Sequence, residues 1–245
     1  MEEQVWVRLA AGCAALGIPL DAAQDRPKWS AYHTLLTEAN ARMDLTAVQD
    51  PLETVDRHYL DCLAPLAKPG LLPQGALCVD VGTGAGFPGV PLALVRPDLR
   101  WVLLDAQAKR VAFLRQVIAA LGLNAQALHA RAEDAARLAA HRERYDLATS
   151  RAVAALPALL ELTLPFVRPG GWALAWKGPA TAAEWPAAQA AAGLLGGALR
   201  PPLSAPVPGR DWHHLLIIAD KRQKTVSQYP RKAGEPGRKP LGITP

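Results

Sequence analysis

The sequence predicts an α/β fold: a doubly wound, mainly parallel sheet preceded by an N-terminal helical segment. Three observations carry this. From Leu77 onward, short apolar runs alternate with helical stretches, the pattern of successive βαβ units. Four glycines, Gly82, Gly84, Gly86 and Gly89, crowd the turn after the first of these runs, where a strand hands over to a helix. The first 68 residues show no such runs and carry helix punctuation instead.

Taken in order, "EEQVWVRLAAGCAALG" is amphipathic, with Gly17 and Pro19 at its end. "PKWSAYHTLLTEANAR" and "PLETVDRHYLDCLAPLA" each open on a proline suited to a first helical turn. Residues 1–68 are therefore expected to form a helical cap on a domain spanning residues 69–220. Its strand candidates are "ALCVDV", "RWVLLD", "AQALHA", "YDLATS", "GWALAWK" and "HHLLIIAD". The clearest helix between them is "AKRVAFLRQVIAALGL", with Val111, Leu114, Ile118 and Leu121 on one face and Gly122 at its stop. The runs around 199–207 and 213–220 have no helix between them, which predicts a terminal hairpin. Residues 221–245 are polar, basic and rich in Pro and Gly, and are expected to be a mobile tail.

Charge and cysteine content narrow the function classes. Residues 221–245 hold seven Lys/Arg against one acid, Glu235, whereas the first 220 residues hold 20 against 21. A near-neutral body with a basic tail points to a polyanionic partner, nucleic acid above all. Cys13, Cys62 and Cys78 are odd in number and widely spaced; this argues for a reducing, cytoplasmic setting and against a disulfide framework or a zinc site. Glu2, Glu3 and Arg8 interrupt the amino end, and no uncharged run exceeds 15 residues. Neither a secretory signal nor a membrane span is expected, and the chain is expected to be a monomer.

The glycine turn sharpens the reading. Bare backbone at such a turn permits unusual angles and close approach to a ligand at the sheet's carboxyl edge. The NAD fingerprint asks for Gly-x-Gly-x-x-Gly, but counting from Gly82 the last position is Phe87. The order found, Asp80-x-Gly82-x-Gly84-x-Gly86, resembles motif I of class I S-adenosylmethionine (SAM) methyltransferases. Asp105, closing the second strand, is placed to accept hydrogen bonds from ribose hydroxyls, a feature that NAD and SAM enzymes share. In "RAED", residues 131–134, Glu133 or backbone near Ala132 is the candidate reader of an adenine edge. An NAD-dependent oxidoreductase therefore stands as one alternative, and a non-catalytic RNA-binding module as another.

From residue 79 the block "VDVGTGAGFPGVPLALVRPDLRWVLLDAQAKRVAFLRQV" resembles the ribosomal RNA small subunit methyltransferase G family, also called GidB. "DLTAV" (44–48), "RHYLDCL" (57–63) and "TSRAV" (149–153) resemble further segments of that family. The resemblance implies a seven-stranded Rossmann-like sheet and a SAM-dependent enzyme that methylates N7 of a guanine in small-subunit (16S) ribosomal RNA, free or in the assembling subunit. Carried over position by position, the cofactor contacts are Gly82, Phe87, Asp105, Ala106, Gln107, Ala132, Glu133 and Arg151, with Gly84 added from the motif. "Asp-Ala-Gln" at 105–107 departs from the Asp-Ser common in relatives, and His213 stands where many members have Arg.

Methylation at N7 fits what is missing as well. N7 carries an in-plane lone pair and no proton, so no general base is needed and placement dominates. Arg151 is the preferred residue facing cofactor and base, since its planar fork suits a carboxylate or phosphate. Lys177 is a candidate for orienting substrate, or a solvated lysine. His58 is a candidate contact to the methionine end or the base, or a hydrogen-bonded helix histidine. In the tail, Arg231, Lys232, Arg238 and Lys239 around Tyr229 are expected to meet phosphates, with one ring available for stacking.

Overall fold

The computed structural model describes residues 1–243. Helices α1 (Glu3–Ala15) and α2 (Asp25–Met43) open the chain. They turn Val5, Leu9, Gly12 and Cys13, and Trp29, Tyr32, Leu36 and Ala39, inward at the three- and four-residue spacing of one helix face. Gly12 is small for a reason: a Cβ there would lie 2.3 Å from Leu60. The third expected helix is a composite. Asp50 caps α3 (Pro51–Thr54) by accepting the Glu53 N–H at 2.8 Å. A π-helical stretch, Val55–Leu60, follows, then α4 (Asp61–Leu63) and a 3₁₀ turn, Ala64–Ala67.

The strands are β1 (Leu77–Val81), β2 (Arg100–Asp105), β3 (Ala125–His129), β4 (Tyr145–Arg151), β5 (Val167–Lys177), β6 (Gly197–Leu199), β7 (Leu203–Ser204) and β8 (Leu215–Lys221). They lie in the order β3-β2-β1-β4-β5-β8-β6, with β7 also pairing β8. β1 to β5 pair in parallel, while β8 runs antiparallel to β5. Both β6 and β7 pair antiparallel to β8. Pro201 and Pro202 stand between β6 and β7 and have no N–H to continue a ladder, so the two pieces are one interrupted edge strand. The sheet thus has seven positions, and the expected terminal hairpin is its β7–β8 part.

Side chains alternate across the sheet as period-2 strands require. Cys78, Leu103, Leu147, Leu174, Leu216 and Ile218 pack with α1, α2, α5 (Gly89–Val95) and α6 (Ala108–Leu121). Val79, Val102, Ala148, Ala173, Ile217 and Ala219 face the other way. They meet α7 (Ala132–Ala135), α8 (Leu156–Thr163) and α9 (Trp185–Leu194). Both faces are covered, the condition for a parallel sheet. The chain's winding reverses between β1 and β4, so the carboxyl ends of β1, β2 and β4 border the crevice where such folds bind ligands.

Residues 221–243 correct one expectation: they are docked on the body, and α10 (Glu235–Arg238) lies among them. Tyr229 is buried in the second core. Arg142 donates to the carbonyls of Thr225 and Tyr229, and Arg137 to that of Pro230. Arg231 pairs with the fully buried Glu161 at 2.5 Å. The physical reason is charge: a buried carboxylate needs a partner, and the body offers Glu161 to this segment. Tyr229 and Arg231 are consequently engaged internally and unavailable for stacking or phosphate contact in this arrangement. Residues 244 and 245 of the expected tail lie outside the described residues.

Candidate functional site

The strand ends carry two neighbouring cavities. The first, about 170 Å³, is lined by Gly82, Asp105, Ala106, Ala132, Glu133 and Val153, among others. Its floor is backbone. Gly82 has φ +71°, and a Cβ there would come within 2.6 Å of Val153, so any side chain is excluded twice over. The turn is held from both sides. Gly82 and Thr83 donate their N–H groups to Leu104 O at 2.9 and 3.1 Å. Behind them Asp80, fully buried, accepts from Thr83 Oγ1 (2.6 Å), the Gly89 N–H (2.9 Å) and Thr149 Oγ1 (2.9 Å). Burial pushes the Asp80 carboxyl up to about 6, against those hydrogen bonds.

Asp105 sits at the end of β2, buried, with Oδ2 accepting the Gly84 N–H at 3.0 Å and Oδ1 accepting the Gln107 N–H at 2.8 Å. A carboxylate oxygen accepts twice, so each retains capacity for a ligand hydroxyl. Gly84 and Gln107 therefore act by fixing the acid. Ala106 and Ala132 offer small side chains to the cleft. Glu133, also buried, accepts the Gly234 N–H at Oε1, 2.7 Å away. A bare floor, an oriented carboxylate and a second acid along one cleft fit an adenosine-bearing ligand.

The second cavity, about 500 Å³, is lined by Arg57, His58, Asp61, Arg151, Trp176, Lys177 and His214, with Val48, Ala152 and Gly178. The structure places Arg151, His58 and Lys177 here together; Phe87, buried, stacks on His58 at 4.6 Å with 23° between the rings. Arg151 stands over the Phe87 ring at 5.2 Å. Its Nη1 donates to Asp61 Oδ2 (2.8 Å) and to Arg57 O (2.7 Å), and its Nη2 lies 2.9 Å from His58 Nδ1. Arg57 lies within the π-helical stretch Val55–Leu60. His58 Nε2 meets Thr46 Oγ1 at 2.7 Å. Burial, then the neighbouring Arg151 charge, push its pKa down to about 4, so the ring is neutral at pH 7 and Nδ1 accepts from the guanidinium. Lys177 reaches Ala154 O at 3.0 Å and Glu184 at 3.3 Å, holding the segment after β4.

Arg151, with Phe87 beneath it, thus belongs to the larger cavity, and Asp105 to the cleft. The link between the cavities is the end of β4. Ala152, at φ +58°, lines the larger cavity, and Val153, next in the chain, lines the cleft. One residue step separates the two spaces.

Two residues were missed in the sequence. Asp61 joins Arg151 to His214, whose Nδ1 lies 2.8 Å from Asp61 Oδ1, and Trp176 donates its indole N–H to Asp61 O at 2.8 Å. The Asp61 contact raises the His214 pKa. Helical spacing held the clue for Asp61, three residues past His58. Strand alternation held it for His214: Leu216 and Ile218 face the helical cap, and the same parity puts His214, not His213, on that side. His213 is exposed.

A family model described as "rRNA small subunit methyltransferase G" (GidB) matches residues 25–200. The Deinococcus deserti protein "Ribosomal RNA small subunit methyltransferase G" is 43% identical over 234 residues, covering 95% of each chain. Its namesake from Alkaliphilus oremlandii is 42% identical over 211 residues, 86% of this chain and 88% of that one. Among solved structures, a predicted O-methyltransferase from Agrobacterium tumefaciens superposes with TM-score 0.53 at 22% identity, covering 67% of this chain and 81% of that one. The methyltransferase bound to the Haloferax volcanii Trm112 activator gives TM-score 0.54 at 17% identity, covering 77% and 98%. At those identities the structures speak for the fold.

Proposed function

We infer that this chain, which belongs to the ribosomal RNA small subunit methyltransferase G family, transfers a methyl group from SAM to N7 of a guanine in small-subunit ribosomal RNA. The observation that carries the reading is the pair of cavities meeting at residues 151–153. One suits an adenosine-bearing donor, and the other is a charged pocket wide enough for a base. When bound, SAM supplies an electrophilic methyl carbon; the N7 lone pair takes it, the sulfur keeps the bonding pair, and the guanine becomes cationic.

The chain's own residues then have these tasks. Asp105 holds the ribose, and Gly82 lets the ligand approach backbone. Arg151, fixed by Asp61 and Arg57 O, presents its remaining N–H groups to the acceptor side. His58, being neutral, adds no positive charge where a cationic product forms. Lys177 positions the 152–154 segment through the Ala154 carbonyl. No side chain has to take a proton. N7 lies in the deep, narrow groove of A-form RNA, so the target guanine must sit in a loop or leave its stack to enter.

The oxidoreductase alternative loses its footing at Phe87. Its ring is buried among Tyr32, Tyr59 and His58, so the turn is closed by an aromatic cluster where a pyrophosphate would need a third glycine. Among the described residues no helix is long and apolar enough to cross a membrane. A cytoplasmic site of action, on free RNA or on the assembling subunit, is part of the proposal. Incubation with isotopically labelled SAM and unmethylated small-subunit RNA or subunits, followed by nuclease digestion and mass analysis, should yield labelled 7-methylguanosine. Methyl transfer to another atom, or none to either substrate, would refute it.

A further inference from the structure

We propose that residues 229–236 form a strap that fixes Glu133 at the adenine end of the cofactor cleft, making Arg231 and Gly234 positioning residues for SAM. The inference rests on the cofactor reading above. Glu133 lines the cleft, and its Oε1 is held by the Gly234 N–H at 2.7 Å. Among the described residues the only basic group near it is Arg131, 3.8 Å from the same oxygen. Oε2 is therefore left for a ligand donor, and the exocyclic amine of adenine is a donor of the right kind. An acceptor useful in that role must not swing, and Gly234 is what stops it.

Gly234 is in turn held in place. Its φ of +81° aims the N–H back at α7, a conformation L side chains adopt at a cost. Three residues earlier, Arg231 clamps Glu161 with its backbone N–H (2.7 Å), Nε (2.9 Å) and Nη2 (2.5 Å). Glu161 is fully buried on α8, beside the cleft-lining Leu162, and Arg231 is its only charged partner among the described residues. Undocking the strap would take from that carboxylate its only charged partner among the described residues and the Arg231 hydrogen bonds, which favours the docked state. Arg137 and Arg142 add donors to the Pro230 and Tyr229 carbonyls. The strap and the cleft therefore share one acid, Glu133. If docking improves SAM affinity, SAM must improve docking by the same factor, because coupling is reciprocal.

Titration calorimetry with SAM tests this on the full chain and two variants. Gly234→Ala strains the turn without a clash, since nothing lies within 4 Å of the added Cβ. Arg231→Met combined with Glu161→Gln loosens the strap while removing the buried charge that would otherwise threaten folding. Each variant should raise the SAM Kd roughly tenfold, within the usual range of coupling between linked sites, with the KM for RNA unchanged. In the wild-type chain, SAM should slow tryptic cleavage after Lys232 and Arg238 by a similar factor. Thermal unfolding confirms that the variants are folded at the assay temperature. A wild-type chain that fails to bind SAM would overturn the cofactor reading itself. Wild-type binding with unaltered Kd in both folded variants, and cleavage indifferent to SAM, would overturn the strap alone. So would a loss confined to RNA affinity.

Discussion

The two cavities that meet at residue 152 are built by different means. The cofactor cleft is made of backbone and of acids at successive strand ends, so its parts are close in the fold because the parallel strands β1–β5 bring their carboxyl ends to one edge of the sheet. The acceptor pocket draws on five separate segments, at 48, 57–61, 151–152, 176–178 and 214, and Arg151, Trp176 and His214 meet in a network centred on Asp61. The first is a property of the fold and the second a property of the packing. Mutations should accordingly separate them, the cleft answering in SAM affinity and the pocket in turnover and RNA affinity.

The largest effect is expected at Asp105. Asp105→Ala removes two charge-assisted hydrogen bonds to ribose, about 3 kcal/mol or ~100-fold in SAM Kd. It also releases the Gly84 and Gln107 N–H groups, both near solvent. Calorimetry should show the loss, while the unfolding midpoint moves by about 1 kcal/mol or less. A Kd within threefold of wild type would contradict the assignment of the cleft.

Next comes Arg151→Lys, which keeps the charge and loses the fork that binds Asp61 and Arg57 O together. Turnover should fall roughly 30-fold, equivalent to about 2 kcal/mol of transition-state placement. SAM Kd should change less than threefold, since Arg151 lines the larger cavity and Asp105 the cleft. Equal losses in both would mean the two cavities are one site.

This contrast also explains what the sequence made legible. Gly82, Asp105 and Glu133 were readable because each follows a recognisable apolar run, and a parallel sheet brings such positions together whatever the side chains between them do. Arg151 was readable for the same reason, at the end of β4. Its partners were not: no local pattern says that Asp61 of a helical segment meets His214, just ahead of the last strand and 153 residues away. The docking of residues 221–243 was hidden for a related reason. Composition marks them as polar and basic, yet their order depends on Glu161 and Glu133 being buried without enough local partners, a fact visible only in three dimensions. The π-turn at 55–60 was missed because it differs from an α-helix by the register of its hydrogen bonds, not by its residue types.

The two regions also respond to pH with opposite signs. In the acceptor pocket, His58 titrates near 4 in the fold against 6.5 for a free imidazole, so between those values the unfolded chain binds the extra proton and stability falls as pH drops. Beneath the cleft, Asp80 titrates near 6 against 3.8; there the folded chain binds the proton, and stability falls as pH rises across that window. His58→Gln should remove the first slope and leave the second. The difference in unfolding free energy between wild type and variant, from urea midpoints at pH 4.5 and 6.5, should change by about 2 kcal/mol in favour of wild type at the higher pH. A pH-independent difference would mean that His58 is not held neutral.

The smallest effect separates two adjacent histidines. His214 shares the cap-facing parity of β8 and is tied to Asp61, whereas His213 points to solvent. Removing the His214 ring leaves Asp61 with Arg151 alone, which keeps its charge compensated and costs only orientation of the pocket wall. His214→Ala should therefore raise the KM for RNA about threefold to fivefold, near 1 kcal/mol, and leave SAM Kd untouched. His213→Ala should change neither by more than experimental error if the side chain does no more than meet solvent. Should the order reverse, with His213 the sensitive position, phosphate contact at the exposed residues leading into β8 would outweigh the Asp61 network in holding RNA. The acceptor pocket would then have to be redrawn outward, from the network at its base to the rim above it.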